Sequence, residues 1–132
     1  MNDQTRLKWS RDNFCQALAT LEKFVALPIL NDRDRAGIIQ GFEYTFELAW
    51  KTLQKYAQQN GIQVNGPRLS LKEALRFALI DIADEEAWLK MLDDRNLTSH
   101  AYKEEVAKEV TTRIAGAHIS LLQKLAGKLT GI

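Results

Sequence analysis

The segment from about residue 35 to residue 59 constrains the fold more than any other part of the chain. Its apolar residues recur at spacings of three and four and also fill positions between, which is typical of a helix buried over most of its circumference. Such a helix lies at the centre of a small fold or packs its second face against another molecule, and a homodimer contact would serve that purpose. The apolar residues are Ile38, Ile39, Phe42, Tyr44, Phe46, Leu48, Ala49, Trp50, Leu53 and Tyr56.

Helical spacing also runs through the rest of the chain, whereas the alternation typical of strands is nearly absent. The sequence predicts an all-α fold, an antiparallel up-and-down bundle of four to five helices in a single domain over residues 1–132. The long central helix is expected to form part of a dimer interface. The first two predicted helices cover about 10–27 and 35–59. The third is opened by the capping box Ser70-Leu71-Lys72-Glu73, and the fourth is capped by Asp84. The last covers about 103–128, with the apolar seam Val106, Val110, Ile114, Ala117, Leu121 and Leu125.

Composition limits the function classes. The formal net charge of +1 gives little long-range attraction to nucleic acid or to anionic lipid, so DNA binding and membrane binding are not expected. The single cysteine, Cys15, and only two histidines argue against a structural zinc site, and neither a metal nor a cofactor is expected. No apolar run resembles a signal peptide or a membrane span, which predicts a cytoplasmic protein.

A short polar segment carries the residues best suited to chemistry. Arg95 offers a permanently charged donor fork that matches phosphate, and His100 can exchange a proton near neutral pH. On one continuous helix these two side chains would point about 140° apart, so either the helix breaks near Thr98–Ser99 or a second copy completes the site. The alternative is that these groups only cap and pair helices. The segment is Arg95-Asn96-Leu97-Thr98-Ser99-His100-Ala101-Tyr102.

Several nearby charges are candidate supporting residues. Glu43 and Glu47 lie four residues apart on the central helix, where like charges repel, so they could orient Arg95 or His100 or bind a metal. The alternative is a surface pair between Glu47 and Lys51, with Glu43 solvated or paired. Two further candidates are Asp94, which could pair with Arg95 or fix the tautomer of His100, and Lys103, a cation where a capping residue would be expected. His118 is interpreted as a bundle-edge histidine rather than as a catalyst.

The pattern Arg95-x4-His100-x-Tyr102 resembles the Arg-x4-His-x-Tyr motif of HEPN-domain toxins, the toxin half of paired HEPN/minimal-nucleotidyltransferase toxin–antitoxin modules. Two flanking stretches are similar to signatures of the same group, which is also named nucleotidyltransferase substrate-binding proteins. The resemblance covers roughly the whole chain in the same order. The two stretches are Gly41-Phe42-Glu43-Tyr44-Thr45-Phe46-Glu47-Leu48-Ala49-Trp50-Lys51 and Glu86-Ala87-Trp88-Leu89-Lys90-Met91-Leu92-Asp93-Asp94-Arg95-Asn96.

The resemblance implies a helical bundle that dimerises so that two motifs share one cleft. It further implies a metal-independent endoribonuclease, in which His100 acts as general acid/base, Arg95 holds the scissile phosphate and Asn96 is a polar orienter. RNA would be the substrate. The cognate minimal nucleotidyltransferase would be the antitoxin, and it would silence the toxin by adding AMP to Tyr102.

Two other function classes remain open from the sequence. The chain could be a non-catalytic subunit that presents a substrate or nucleotide to a separate nucleotidyltransferase, using the same cleft without turnover. It could also be a dimeric scaffold whose polar cluster only caps helices. An Arg95→Ala change separates the three hypotheses. It should abolish cleavage by a ribonuclease, weaken binding by a substrate-binding subunit and cost a scaffold only a little stability.

Overall fold

The computed structural model describes residues 2–132 and contains no strand within that range, which confirms the all-α prediction. Helices α5 and α6 are joined by the π-helical segment Ile114–His118 into one continuous rod, so five helical rods make up the bundle. Short 3₁₀ turns, Ile82–Asp84 and Thr98–His100, flank α4. The helices are α1 (Asp3–Ala26), α2 (Asp32–Gln59), α3 (Pro67–Arg76), α4 (Glu85–Leu97), α5 (Glu104–Arg113) and α6 (Ile119–Leu129).

Helix α2 is the central element, as its apolar circumference predicts. It packs against α1, α3, α4 and α5, and its Phe42 and Phe46 side chains are buried in the core together with Trp88 of α4. The opposite side of α2 remains accessible, since Tyr44 is 63% exposed there. Trp50 lies nearer the core side and is half-buried against the core. The structure therefore explains most of the apolar surface of α2 by core packing and leaves Tyr44 exposed on the far side.

Two helices begin earlier than their apolar patterns predict. Helix α1 begins at Asp3 rather than near residue 10, because Asn2 caps it by accepting the Thr5 backbone N–H at 2.8 Å. Helix α2 begins at Asp32, where Asn31 accepts the Asp34 N–H at 3.0 Å. Polar first turns form helix when a capping side chain satisfies their free backbone donors, and the apolar period does not report them.

The predicted cap of α3 is wrong, whereas that of α4 is right in position only, because Asp84 is the N-cap residue but its side chain bonds elsewhere. Helix α3 begins at Pro67, after Gly66 in a left-handed conformation with φ of 86°, and proline suits the first helical position. Ser70 lies inside the helix, is buried, and donates to the Gly66 carbonyl at 2.8 Å. Asp84 does precede α4, but its carboxylate accepts from Lys124 Nζ at 2.8 Å and caps no backbone N–H.

The π-helical segment shifts the apolar seam of the last rod. The Ile119 N–H bonds to the Ile114 carbonyl five residues back, which adds one residue to that turn. As a result His118 and Leu122 face the core in place of Ala117 and Leu121, which the regular spacing predicts. The prediction that His118 lies at the bundle edge is therefore wrong, because it is 2% exposed.

Asp94 is the central acceptor of a buried polar cluster rather than a support for Arg95 or His100. Its carboxylate is fully buried and accepts from Arg113 Nε at 2.7 Å and Arg113 Nη2 at 2.9 Å. His118 Nε2 lies 2.6 Å from the same carboxylate. These bonds tie α4 to the π-helical rod, so the predicted roles of Asp94 at the motif are wrong.

The cluster sets the protonation of its members. Burial alone would raise the pKa of Asp94, but the hydrogen bonds from Arg113 and His118 and the charge of Arg113 outweigh it and hold that pKa below its ordinary value. Burial lowers the pKa of His118, and the charges of Arg113 and Lys90 act in the same direction. The hydrogen bond and the charge of Asp94 oppose this shift only in part. Near neutral pH the cluster is therefore an ionised Asp94, a charged Arg113 and a neutral His118.

We expect stability to fall as the pH is lowered through the ordinary histidine pKa of 6.5. Below that pH the unfolded chain protonates His118 while the folded chain does not, so protons favour unfolding by up to about 1.4 kcal/mol per pH unit. Asp94, whose folded pKa is also lowered, adds a second loss at more acidic pH. Urea unfolding between pH 8 and 5 measures the effect, and His118→Gln should flatten the part near pH 6.5. A stability that rises on acidification would contradict this assignment.

Candidate active site

The α-helix that carries Arg95 ends within the motif, before His100. Helix α4 ends at Leu97, the Thr98–His100 turn follows, and α5 begins at Glu104. Within this connection the Ala101 N–H bonds to the Thr98 carbonyl at 3.1 Å and the Lys103 N–H bonds to the His100 carbonyl at 3.0 Å. The predicted helix break near Thr98–Ser99 is present, and Arg95 and His100 consequently do not share one regular helix.

Arg95 is held by a residue of the central helix. Its Nη1 donates to Glu43 Oε2 at 3.2 Å and to Thr98 Oγ1 at 3.1 Å. The Thr98 hydroxyl lies 2.8 Å from Glu43 Oε2 and 2.6 Å from the Arg95 carbonyl, and it can donate to one of them at a time. Of the two alternatives for Glu43, pairing with Arg95 is therefore the one observed.

This arrangement leaves part of the guanidinium available. Both hydrogen bonds of Arg95 within residues 2–132 use Nη1, and Nη2 is not among its bonded atoms. The side chains of Arg95 and Glu43 are 34% and 33% exposed, so the pair lies at the surface of the bundle. A partly exposed arginine with a fixed position and a spare donor can bind an anionic oxygen, such as one of a phosphodiester.

The other motif side chains extend into solvent. His100 is exposed, and its ring centroid lies 6.2 Å from that of Tyr102, which is 79% exposed. Lys103 places its ammonium 6.0 Å from the Tyr102 ring, and Asn96 is exposed on the last turn of α4. No hydrogen bond or ion pair within residues 2–132 joins Arg95 to His100. One chain thus presents a fixed arginine at the end of α4 and an exposed histidine in the turn that follows it.

Glu47 does not take part in this site. Its carboxylate pairs with Lys51 at 3.4 Å and accepts from the Trp50 indole N–H at 3.0 Å, as the surface-pair interpretation predicts.

No group of three or more histidine, cysteine, aspartate or glutamate side chains suited to a metal occurs within residues 2–132. In the same range, no helix combines the length and apolar character that crossing a bilayer demands.

Thr98 is the site residue that sequence analysis missed. It is 6% exposed and links Arg95 to Glu43, although these two residues are 52 positions apart. Its position three residues after Arg95, at the end of a helix, is a weak signal because threonine at such sites usually bonds its own backbone.

The helical bundle and the Arg95–His100 connection define a class of small all-helical proteins with a polar motif between two helices. The sequence profile of the family described as "Nucleotidyltransferase substrate binding protein like" matches residues 10–131. The chain belongs to this family, and the resemblance drawn from the motif and its flanking stretches is confirmed.

Two relatives add to this assignment. A protein of Haemophilus influenzae named "Probable ribonuclease HepT" is 40% identical over 91 residues, which is 65% of this chain and 61% of that protein. The chain thus matches less than two thirds of that relative's length. The crystal structure of ttk003001694 from Thermus thermophilus superposes with a TM-score of 0.80 at 33% identity, covering 88% of this chain and 98% of that one.

Proposed function

We propose that the protein is a metal-independent endoribonuclease of the HEPN toxin type. The observation that carries the proposal is the fixed Arg95 in the last turn of α4, held by Glu43 and Thr98. The exposed His100 lies in the turn that directly follows this helix. An arginine for the phosphate and a histidine for the proton are the two groups that RNA cleavage by internal transfer needs. The name of the Haemophilus influenzae relative, a probable ribonuclease, supports the same chemistry.

The reaction uses the 2′-hydroxyl of RNA as nucleophile. His100 takes the hydroxyl proton as the oxygen attacks phosphorus, and the bond to the 5′-oxygen breaks as that oxygen gains a proton from a second acid. Products carry a 2′,3′-cyclic phosphate and a 5′-hydroxyl. Arg95 stabilises the charge that develops on the phosphorane, with Asn96 as a further polar contact.

Dimerisation completes the proposed site. The accessible strip of α2 around Tyr44, together with the 95–102 connection, would form the interface between two copies. The shared cleft would then hold two Arg95–His100 pairs, and His100 of the partner subunit would serve as the second acid. Size-exclusion chromatography with light scattering tests this arrangement.

Regulation is proposed to act at Tyr102. A cognate minimal nucleotidyltransferase would transfer AMP to its hydroxyl, which is accessible because the side chain is 79% exposed. The added phosphate carries negative charge close to His100 and would compete with RNA for the cation of Arg95. Lys103 lies beside the ring and would bind the same phosphate.

The decisive experiment is RNA cleavage in EDTA by the purified, unmodified protein beside its His100→Ala variant. We expect wild-type protein to cleave and to leave cyclic phosphate ends, and the variant to lose the activity. An oligonucleotide with a 2′-O-methyl group at the scissile position should resist both. Absence of cleavage across tRNA and mRNA pools would overturn the proposal.

The second candidate is a non-catalytic subunit that binds a nucleotide for a separate nucleotidyltransferase, which the family description favours. It predicts saturable nucleotide binding without turnover. In that case Arg95→Ala would weaken binding, and His100→Ala would leave the chemistry of the separate transferase intact.

A further inference from the structure

A groove of about 440 Å³ lies beside the Arg95 pair, between the first half of α2, the 98–102 connection and the start of α5. Its volume falls in the range of small-molecule sites. Apolar and aromatic side chains form part of its lining, among them Ile39, Ala107 and Tyr102. The groove can therefore accept a planar apolar face and stack it on an aromatic ring.

The groove and the candidate active site share side chains. Glu43 and Thr98, which hold Arg95, also line the groove, and Tyr102 stands 6.2 Å from the His100 ring. A nucleotide whose phosphate lies against Arg95 would thus have its base within reach of the groove.

The charges of the groove favour a base over a phosphate. Its lining holds three carboxylates, and each is paired with a cation: Asp32 with Arg35 at 3.0 Å, Glu43 with Arg95 at 3.2 Å and Glu104 with Lys108 at 3.1 Å. Arg35 also lines the groove, but its pairing with Asp32 leaves it little attraction for a phosphate. The second oxygen of each carboxylate can still accept hydrogen bonds from N–H groups. The hydrogen bonds of Glu43 within residues 2–132 use Oε2, which leaves Oε1 as a free acceptor.

We infer that this groove binds the base of a nucleotide flanking the scissile bond and prefers a base that presents an exocyclic amino group. The inference rests on the proposed ribonuclease function and names its specificity determinant. Glu104 is the carboxylate best placed to set the preference, because it lines the groove and pairs with Lys108 rather than with Arg95. The Lys108 pair uses Oε1 of Glu104, so Oε2 can accept a hydrogen bond from the base. Carboxylates accept hydrogen bonds from the cytosine amino group, whereas uracil presents a carbonyl oxygen at that position.

Cytosine against uracil is the sharpest comparison, since the two bases have the same size and differ at this amino group. The substrates are oligonucleotides blocked by 2′-O-methyl groups at every position except one ribose, with cytosine or uracil on either side of the cleaved bond. We expect wild-type protein to prefer cytosine at one of these positions by at least about fivefold in kcat/KM. Glu104→Gln should reduce this preference below about twofold, because an amide can also donate to the uracil oxygen.

Glu105→Gln is the matched control, since Glu105 is an exposed neighbour outside the groove, and it should keep the wild-type preference. Fluorescence anisotropy with fully 2′-O-methylated oligonucleotides measures the same preference as a ratio of Kd values without cleavage. Cleavage without a preference would overturn the inference and leave the ribonuclease standing. If no cleavage occurs but Glu104→Gln removes a preference in binding, the inference that the groove binds a base stands and the proposed ribonuclease function is overturned. Equal binding of both bases without cleavage would overturn both.

Discussion

Asp94→Ala is expected to destabilise the protein by about 3–5 kcal/mol, the range seen when one member of a buried ion pair is removed. The change leaves the Arg113 guanidinium and the His118 ring without the carboxylate that both contact. It also breaks the link between α4 and the π-helical rod. Urea unfolding followed by circular dichroism at pH 7.5 measures the loss.

Asp93→Ala is the matched control, because Asp93 is exposed one position earlier on the same helix. Its effect should stay within about 0.5 kcal/mol. Equal losses for the two variants would show that the buried cluster contributes nothing beyond local helix effects. The Asp94→Ala variant, once folded, should retain the proposed cleavage, since within residues 2–132 Asp94 has no hydrogen bond or ion pair with His100 or with the Arg95 side chain.

His100→Ala is expected to lower the rate of RNA cleavage by about 10²–10⁴-fold, the usual contribution of a general acid/base. The side chain is exposed and makes no side-chain hydrogen bond within residues 2–132, so the unfolding temperature should not change. Single-turnover cleavage of a defined oligonucleotide in EDTA gives the rate, and thermal unfolding gives the stability.

Ser99→Ala provides the control for this variant. Ser99 is the exposed neighbour of His100, and its hydroxyl donates to the Asn96 carbonyl at 3.0 Å. It should cleave within about threefold of wild type, which separates loss of the imidazole from disturbance of the turn. A His100→Ala protein as active as Ser99→Ala would exclude His100 as the group that moves the proton.

Much of the fold could be predicted because each helix needs an apolar face whose period appears in the sequence. The central position of α2 follows directly from its apolar circumference. Helix starts such as Asp3 and Pro67 were misplaced because capping by Asn2, or by a glycine–proline pair, depends on single residues rather than on a period. The role of Asp94 was missed because its partners lie in another helix, 19 and 24 positions away.

The candidate site, like the fold, could be predicted from the sequence only in part. Arg95, His100 and Tyr102 occur within eight consecutive residues, so the motif could be recognised without a structure. The pairing of Arg95 with Glu43 was one of several alternatives, and only the packing of α2 against α4 selects it. The sequence pattern does not predict the groove, because residues of α2 and α5 line it together only through tertiary structure.

The extra residue in the Ile114–His118 turn is absorbed within that turn, because the Ile119 N–H bonds to the Ile114 carbonyl five residues back. Ala115, Gly116 and Ala117 are all exposed, so other small residues should replace them at little cost. Deleting any one of them would remove the extra residue and restore a regular α-helix. Leu122, Leu125 and Leu129 would then keep their places in the core, since the wide turn had compensated for the added residue. Relatives that keep this core should therefore occur both with and without the extra residue in the turn.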